Sequence, residues 1–150
     1  MSLLFSPYWG VVEPVEREGE KKIVVRALKG WDHKITATAV EDMGAVVAKI
    51  VAGQVDAKDK VVYTRGGTVT YAQFADIIGR VTGKDVVREL WSVEDLKGQA
   101  EKSGDGVTVE RYRLMFAGEG VWWEDEVTVN HKYGIPSTDI ELWGRKHFKV

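Results

Sequence analysis

The sequence predicts an α/β fold, a small and partly parallel sheet with flanking helices, in a single domain spanning residues 1–150. Three observations lead to it. Short β-prone runs alternate with helical patterns in the order strand, helix, strand, helix, strand, which asks for at least one parallel crossover. The helical patterns carry their own start and stop signals. The chain, 150 residues with 44% hydrophobic and 29% charged residues, is sized and composed for one ordinary core.

The elements follow in order. Lys21 to Val25 form a first β-prone run, and Ile35 to Val40 alternate threonine with aliphatic residues as a strand does. The Gly30-Trp31-Asp32-His33 turn joins them. Thr38 and Glu41 have capping-box spacing, so a helix is expected from there, burying Val40, Met43, Val47, Ile50 and Val51 and stopping at Gly53. Lys60 to Tyr63 reads as a short buried strand that ends in the Arg65-Gly66-Gly67 turn. Thr70 and Gln73 open a second helix with a capping box; Tyr71, Phe74, Ile77, Ile78 and Val81 are its apolar stripe, and Gly83 ends it.

Val86 to Trp91 is the third strand. Ser92 and Asp95 open a polar helix that closes before Ser103-Gly104-Asp105-Gly106. From Thr108 a further helix places Val109, Tyr112, Met115 and Phe116 on one face. Beyond Gly120, aromatic residues are scattered among charges, as in loops and short helices that wrap a core. No repeat of fixed period is present.

Composition excludes several function classes. Cysteine is absent, which removes disulfides, thiolate metal sites and cysteine nucleophiles and fits a reducing, cytoplasmic setting. The formal net charge is -2, and basic residues are interspersed with acidic ones, so the chain offers no continuous basic stretch for nucleic acid. Its longest uncharged stretch near the start, Met1 to Val12, is too short and broken to cross a membrane and lacks the pattern of a secretory signal. The three histidines, His33, His131 and His147, have no metal-ligand spacing, and no metal is expected.

No G-x-G-x-x-G, G-x-S-x-G or H-E-x-x-H motif occurs, so no cofactor-binding residue and no motif-based catalytic residue is assigned. Arg65-Gly66-Gly67-Thr68 before a helix could seat an anion, although a glycine pair there more commonly makes a turn. The weak catalytic candidates are Asp32 and His33, an acid/base dipeptide beside Trp31, and Glu119. Glu119, Glu124, Asp125 and Glu126 flank Trp122 and Trp123, where a carboxylate pressed against indoles could have a raised pKa; a solvated acidic loop is the plainer reading. Six tryptophans exceed what a small core requires. Amphipathic aromatics often line small-molecule pockets, and Tyr8, Trp9, Tyr112, Phe116, Trp122 and Trp123 are the candidate substrate-binding residues.

Two stretches carry a family likeness. Thr38 to Ala48 resembles a segment in which a strand leads into a helix opening Asp-[Ile/Val]-Gly/Ala. Lys60 to Thr64, Thr68 to Ile78 and Thr82-Gly83-Lys84 resemble the strand and helix that follow it. Tyr133-Gly134-Ile135-Pro136 and the tail to Phe148 are similar in style. Together they resemble, from about Trp31 onward, the C-terminal, substrate-side region of NmrA-like and isoflavone-reductase-like proteins, which are atypical short-chain dehydrogenases.

In that family a Rossmann-type N-terminal region binds NAD(P), and the C-terminal region forms much of the substrate cleft. The resemblance implies a small-molecule-binding scaffold derived from a reductase and lacking the dinucleotide-binding half, with no catalytic residue to carry over. Its expected partners are a small-molecule ligand and either a second copy, as a homodimer, or the missing nucleotide-binding partner. Two other readings stand beside it. One is a cofactor-independent isomerase or cyclase using an acid/base pair in an aromatic pocket, and the other is a protein-interaction module.

Overall fold

The computed structural model describes residues 1–17, 19–104 and 106–149. Its elements run α1 (Ser2–Phe5), a 3-10 turn (Pro7–Trp9), β1 (Val12–Arg17), β2 (Glu20–Leu28), β3 (Lys34–Ala37), α2 (Val40–Val51), β4 (Gly67–Thr70), α3 (Tyr71–Thr82), β5 (Val86–Trp91), α4 (Val93–Lys102) and α5 (Val109–Phe116). A second 3-10 turn (Asp125–Val127), α6 (Val129–Tyr133) and α7 (Ile140–His147) complete the chain.

One sheet has the order β1-β2-β5, with β1 antiparallel and β5 parallel to the central β2. Ile23 to Val25, Ala27 and Leu28 have no exposed surface. A central strand covered on both faces is expected to read as such a continuous apolar run. The expected parallel crossover is therefore present, between β2 and β5. A second, two-stranded sheet pairs β3 with β4, Ile35 facing Val69 and Thr36 facing Thr68.

Helix α3 matches its expectation throughout. The Thr70 hydroxyl accepts from the Gln73 amide at 3.1 Å and Gln73 Oε1 accepts from the Thr70 amide at 2.9 Å. Tyr71, Phe74, Ile77 and Ile78 are buried and Gly83 ends the helix in the left-handed region at φ 65. Ser92 and Asp95 likewise form the capping box that opens α4. Of the loop that follows α4, Asp105 lies outside the described residues.

Elsewhere the structure corrects the sequence reading. The N-cap of α2 is Ala39; the Thr38 hydroxyl donates instead to the Thr64 carbonyl at 3.0 Å and leaves the expected capping box unmade. Helix α2 buries Val46, which packs with Ile50 against Val55, Val129 and Ile135. That choice turns the expected core stripe outward: Val40, Met43, Val47 and Val51 are exposed.

Lys60 to Tyr63 is not a buried strand. Val61 is 78% exposed, and only Tyr63 makes an isolated bridge, to Thr128. The Arg65-Gly66-Gly67 turn leads into β4, a strand the sequence reading omitted, as it did β1. The anion reading for that turn falls with it. The first amides of α3 are taken by Thr70 and by the His33 and Trp31 carbonyls, at 3.1 and 3.0 Å, so no free donors face a ligand. On α5, Val109 and Phe116 pack on the core, while Tyr112 and Met115 are exposed. Among the described residues, no helix is long and apolar enough to cross a membrane.

Candidate functional site

Between β3, the start of α2 and the 61–64 segment lies a partly open cavity of about 500 Å³. Strand β3 and the residue after it supply Ile35, Thr36, Ala37 and Thr38; Val40 and Met43 come from α2, and Leu4, Trp9, Phe116 and Trp123 close other sides. No charged side chain lines it. The threonines already have partners. Thr36 and Thr68 share a hydroxyl bond of 2.7 Å, Thr38 donates to Thr64, and the Thr64 hydroxyl donates to Asn130 Oδ1 at 2.9 Å.

The aromatic walls are set by long-range ties. Gly10, in the left-handed region at φ 71, ends the turn that carries Trp9. The Arg113 guanidinium, which lies over the Trp91 ring, donates to the Trp9 carbonyl at 2.7 Å. Phe116 meets Trp9 edge-on at 4.9 Å between ring centres. Trp123 is pinned to the two-stranded sheet: its amide donates to Thr36 Oγ1 at 3.1 Å and its carbonyl accepts from Thr68 Oγ1 at 3.0 Å. The indole N–H groups of Trp9 and Trp123 are buried without a protein acceptor.

Of the six aromatics singled out in the sequence, the structure brings Trp9, Phe116 and Trp123 together on this cavity. Tyr8 and Tyr112 are exposed and do not line it, and Trp122 lies under the Lys34 ammonium, 4.2 Å from its ring centre. Sequence reading did not find Thr36, Thr38, Met43 or Val61 to Thr64. The alternation from Ile35 to Val40 marked a strand, but nothing local says that one face of it borders a void.

A second, shallower depression gathers Asp32, His33 and Glu119 with Lys29, Lys34 and Trp122. His33 Nε2 lies 3.0 Å from the Phe116 carbonyl, which can only accept. Nε2 is therefore the donor of that bond, and Nδ1 has no hydrogen-bond partner among the described residues. Glu119 is exposed and bound to Lys29 at 2.8 Å; that hydrogen bond holds its carboxyl below the ordinary range. Asp125, hydrogen-bonded by Arg65, is also held low. Neither of these two is an indole-raised general acid. Among the described residues, no cluster of acidic or histidine side chains has the makings of a metal site.

Comparison with known proteins gives the family context. No family model matches the chain. An NmrA-like family domain-containing oxidoreductase of Gibberella moniliformis is 37% identical over 142 residues, covering 93% of this chain and 44% of that protein. The fold is similar to that of the NADPH-dependent quinone oxidoreductase of Escherichia coli, crystallised with NADPH, with a TM-score of 0.61 and 22% identity over 84% of this chain and 45% of that one. The chain thus spans less than half the length of either protein. The NmrA-like resemblance and the α/β class read from the sequence are both borne out.

Proposed function

We propose, from the premise that this chain is the counterpart of part of an NmrA-like oxidoreductase, that it forms the substrate-side scaffold of such an enzyme. In this reading it holds an uncharged, largely apolar small molecule in the cavity between β3, α2 and Trp123. The nicotinamide cofactor is gripped by a part of the architecture outside these residues. The observation that carries the reading is the cavity wall, which joins three tryptophan or phenylalanine rings to aliphatic side chains and carries no charged side chain; Met1 also lines it, with its ammonium engaged by the Thr38 carbonyl at 2.7 Å. Such a lining favours apolar ligands, since a charged group would lose its hydration with no charged side chain to compensate it. A hydrogen-bond acceptor on the ligand that reached either indole N–H would also relieve a buried unpaired donor, which costs about 1–3 kcal/mol.

The test uses naphthoquinone as a neutral, flat probe, with binding read by calorimetry, and NADPH as the second ligand. Saturable naphthoquinone binding is expected, weakened by about tenfold in Trp123→Ala, with no uptake of NADPH by the chain alone. Tight, stoichiometric NADPH uptake, or probe binding indifferent to Trp123, would overturn the reading.

A second reading is favoured by the depression that gathers Asp32, His33 and Glu119. An imidazole whose Nε2 is fixed on the Phe116 carbonyl can use Nδ1 as a base without any cofactor. It requires turnover of a carbonyl substrate in the absence of nicotinamide, and loss of that turnover in His33→Ala.

A further inference from the structure

The lysines that look evenly spread in the sequence do not stay apart in the fold. Lys21 and Lys22 on β2, Lys84 between α3 and β5, and Lys149 beyond α7 line one groove of about 530 Å³. Pro7, Pro14, Val15 and Glu16 complete its walls. Lys22 is ion-paired with Glu20 at 3.0 Å. Among the described residues, Lys21, Lys84 and Lys149 have no carboxylate within 4.0 Å, although Glu16 is the cross-strand neighbour of Lys21 in the register. Most other cations are matched: Arg17, Arg26, Lys29, Lys34, Lys60, Arg65, Arg80, Arg88, Arg113 and Arg145 each have an acidic partner.

Unmatched like charges repel, and three chain segments must meet to bring these together. An anion in the groove would turn that repulsion into attraction. The two prolines contribute no backbone N–H, so a ligand there meets ammonium groups rather than a shaped cradle of amides. Ammonium point charges select by charge density more than by geometry. The groove is short and concave in a chain of net charge -2, which suits a compact soluble polyanion better than a long nucleic-acid backbone.

We infer that the groove formed by Lys21, Lys22, Lys84 and Lys149 is a binding site for a soluble phosphate-bearing polyanion, separate from the apolar cavity. The probe is pyrophosphate, titrated calorimetrically against inorganic phosphate and acetate at matched ionic strength. Pyrophosphate is expected to bind tightest and to weaken as salt screens the lysines. Its affinity should fall by about tenfold or more in the double variant Lys21→Ala/Lys84→Ala and recover in Lys21→Arg/Lys84→Arg, which keeps the charge.

Lys21 is exposed and Lys84 half-buried, so circular dichroism melts of the two double variants should stay close to the parent. Equal affinity for the three anions, pyrophosphate binding indifferent to both double variants (an adventitious ion only), or no binding would each overturn the inference. So would sedimentation of the protein with phosphatidylserine vesicles that pyrophosphate fails to compete, since the ligand would then be a bilayer.

Discussion

At the scale of single residues, close approach and charge decide what can be changed. A Cβ on Gly66 would overlap the Thr138 carbonyl oxygen and Met1 Cε and would stand 3.0 Å from the Ala37 carbonyl oxygen. The methionine can swing away, but backbone oxygens cannot. Gly66→Ala is therefore expected to destabilise by about 1–3 kcal/mol, read as a lower urea midpoint with unchanged slope.

Glu89 makes a prediction about acid. Its hydrogen bond to Arg17 and, after a desolvation cost, that to Arg26 hold its carboxyl below the ordinary 4.5. A depressed carboxyl contributes stability that is complete above 4.5 and disappears as pH falls through the folded value. Urea midpoints should therefore drop faster on acidification in the parent than in Glu89→Gln, with the difference confined to pH below 4.5. Parallel curves would show that Glu89 is not the group responsible.

At the scale of elements, α2 and α3 show what a sequence discloses. Every determinant of α3 lies between Thr70 and Gly83: the cap, the stripe and the stop are local, and all three are found. Thr70→Ala should cost about 1 kcal/mol in thermal or urea unfolding by removing the cap. Helix α2 was equally periodic and equally well placed, yet its stripe faces outward. Periodicity says which residues share a face, while burial depends on partners elsewhere, here Val55, Val129 and Ile135.

The cavity follows the same rule. Trp9, Phe116 and Trp123 could be singled out by chemistry, but their meeting depends on Arg113 reaching the Trp9 carbonyl and on Thr36 and Thr68 holding Trp123. No spacing in the sequence encodes such ties. Conversely, Trp143 and Trp91 look like pocket material in composition and serve packing instead, the one against Phe5 and the other between Arg26 and Arg113.

At the scale of the whole molecule, the exposed face of α2 continues into Val61 and Tyr63 beside the cavity, an uncovered apolar surface. Such surfaces invite a partner. Purified chain should associate reversibly in sedimentation runs at increasing concentration. Val47→Glu, at a position 57% exposed, should reduce that association while shifting folding stability by no more than about 0.5 kcal/mol. A compact monomer at every concentration would remove the case for a homodimer through this face.

The parallel pairing of β2 with β5 also bears on how the chain reaches its native state. Ile23 waits for Val86, so the sheet cannot close until roughly sixty intervening residues exist and have been brought back across it. On a ribosome, the most deeply buried of the described strands therefore emerges long before its mate, with only the β1 hairpin to shelter it. Chaperone dependence and a slow, aggregation-exposed refolding phase are the natural cost of that wiring, and β2 is where they should be felt first.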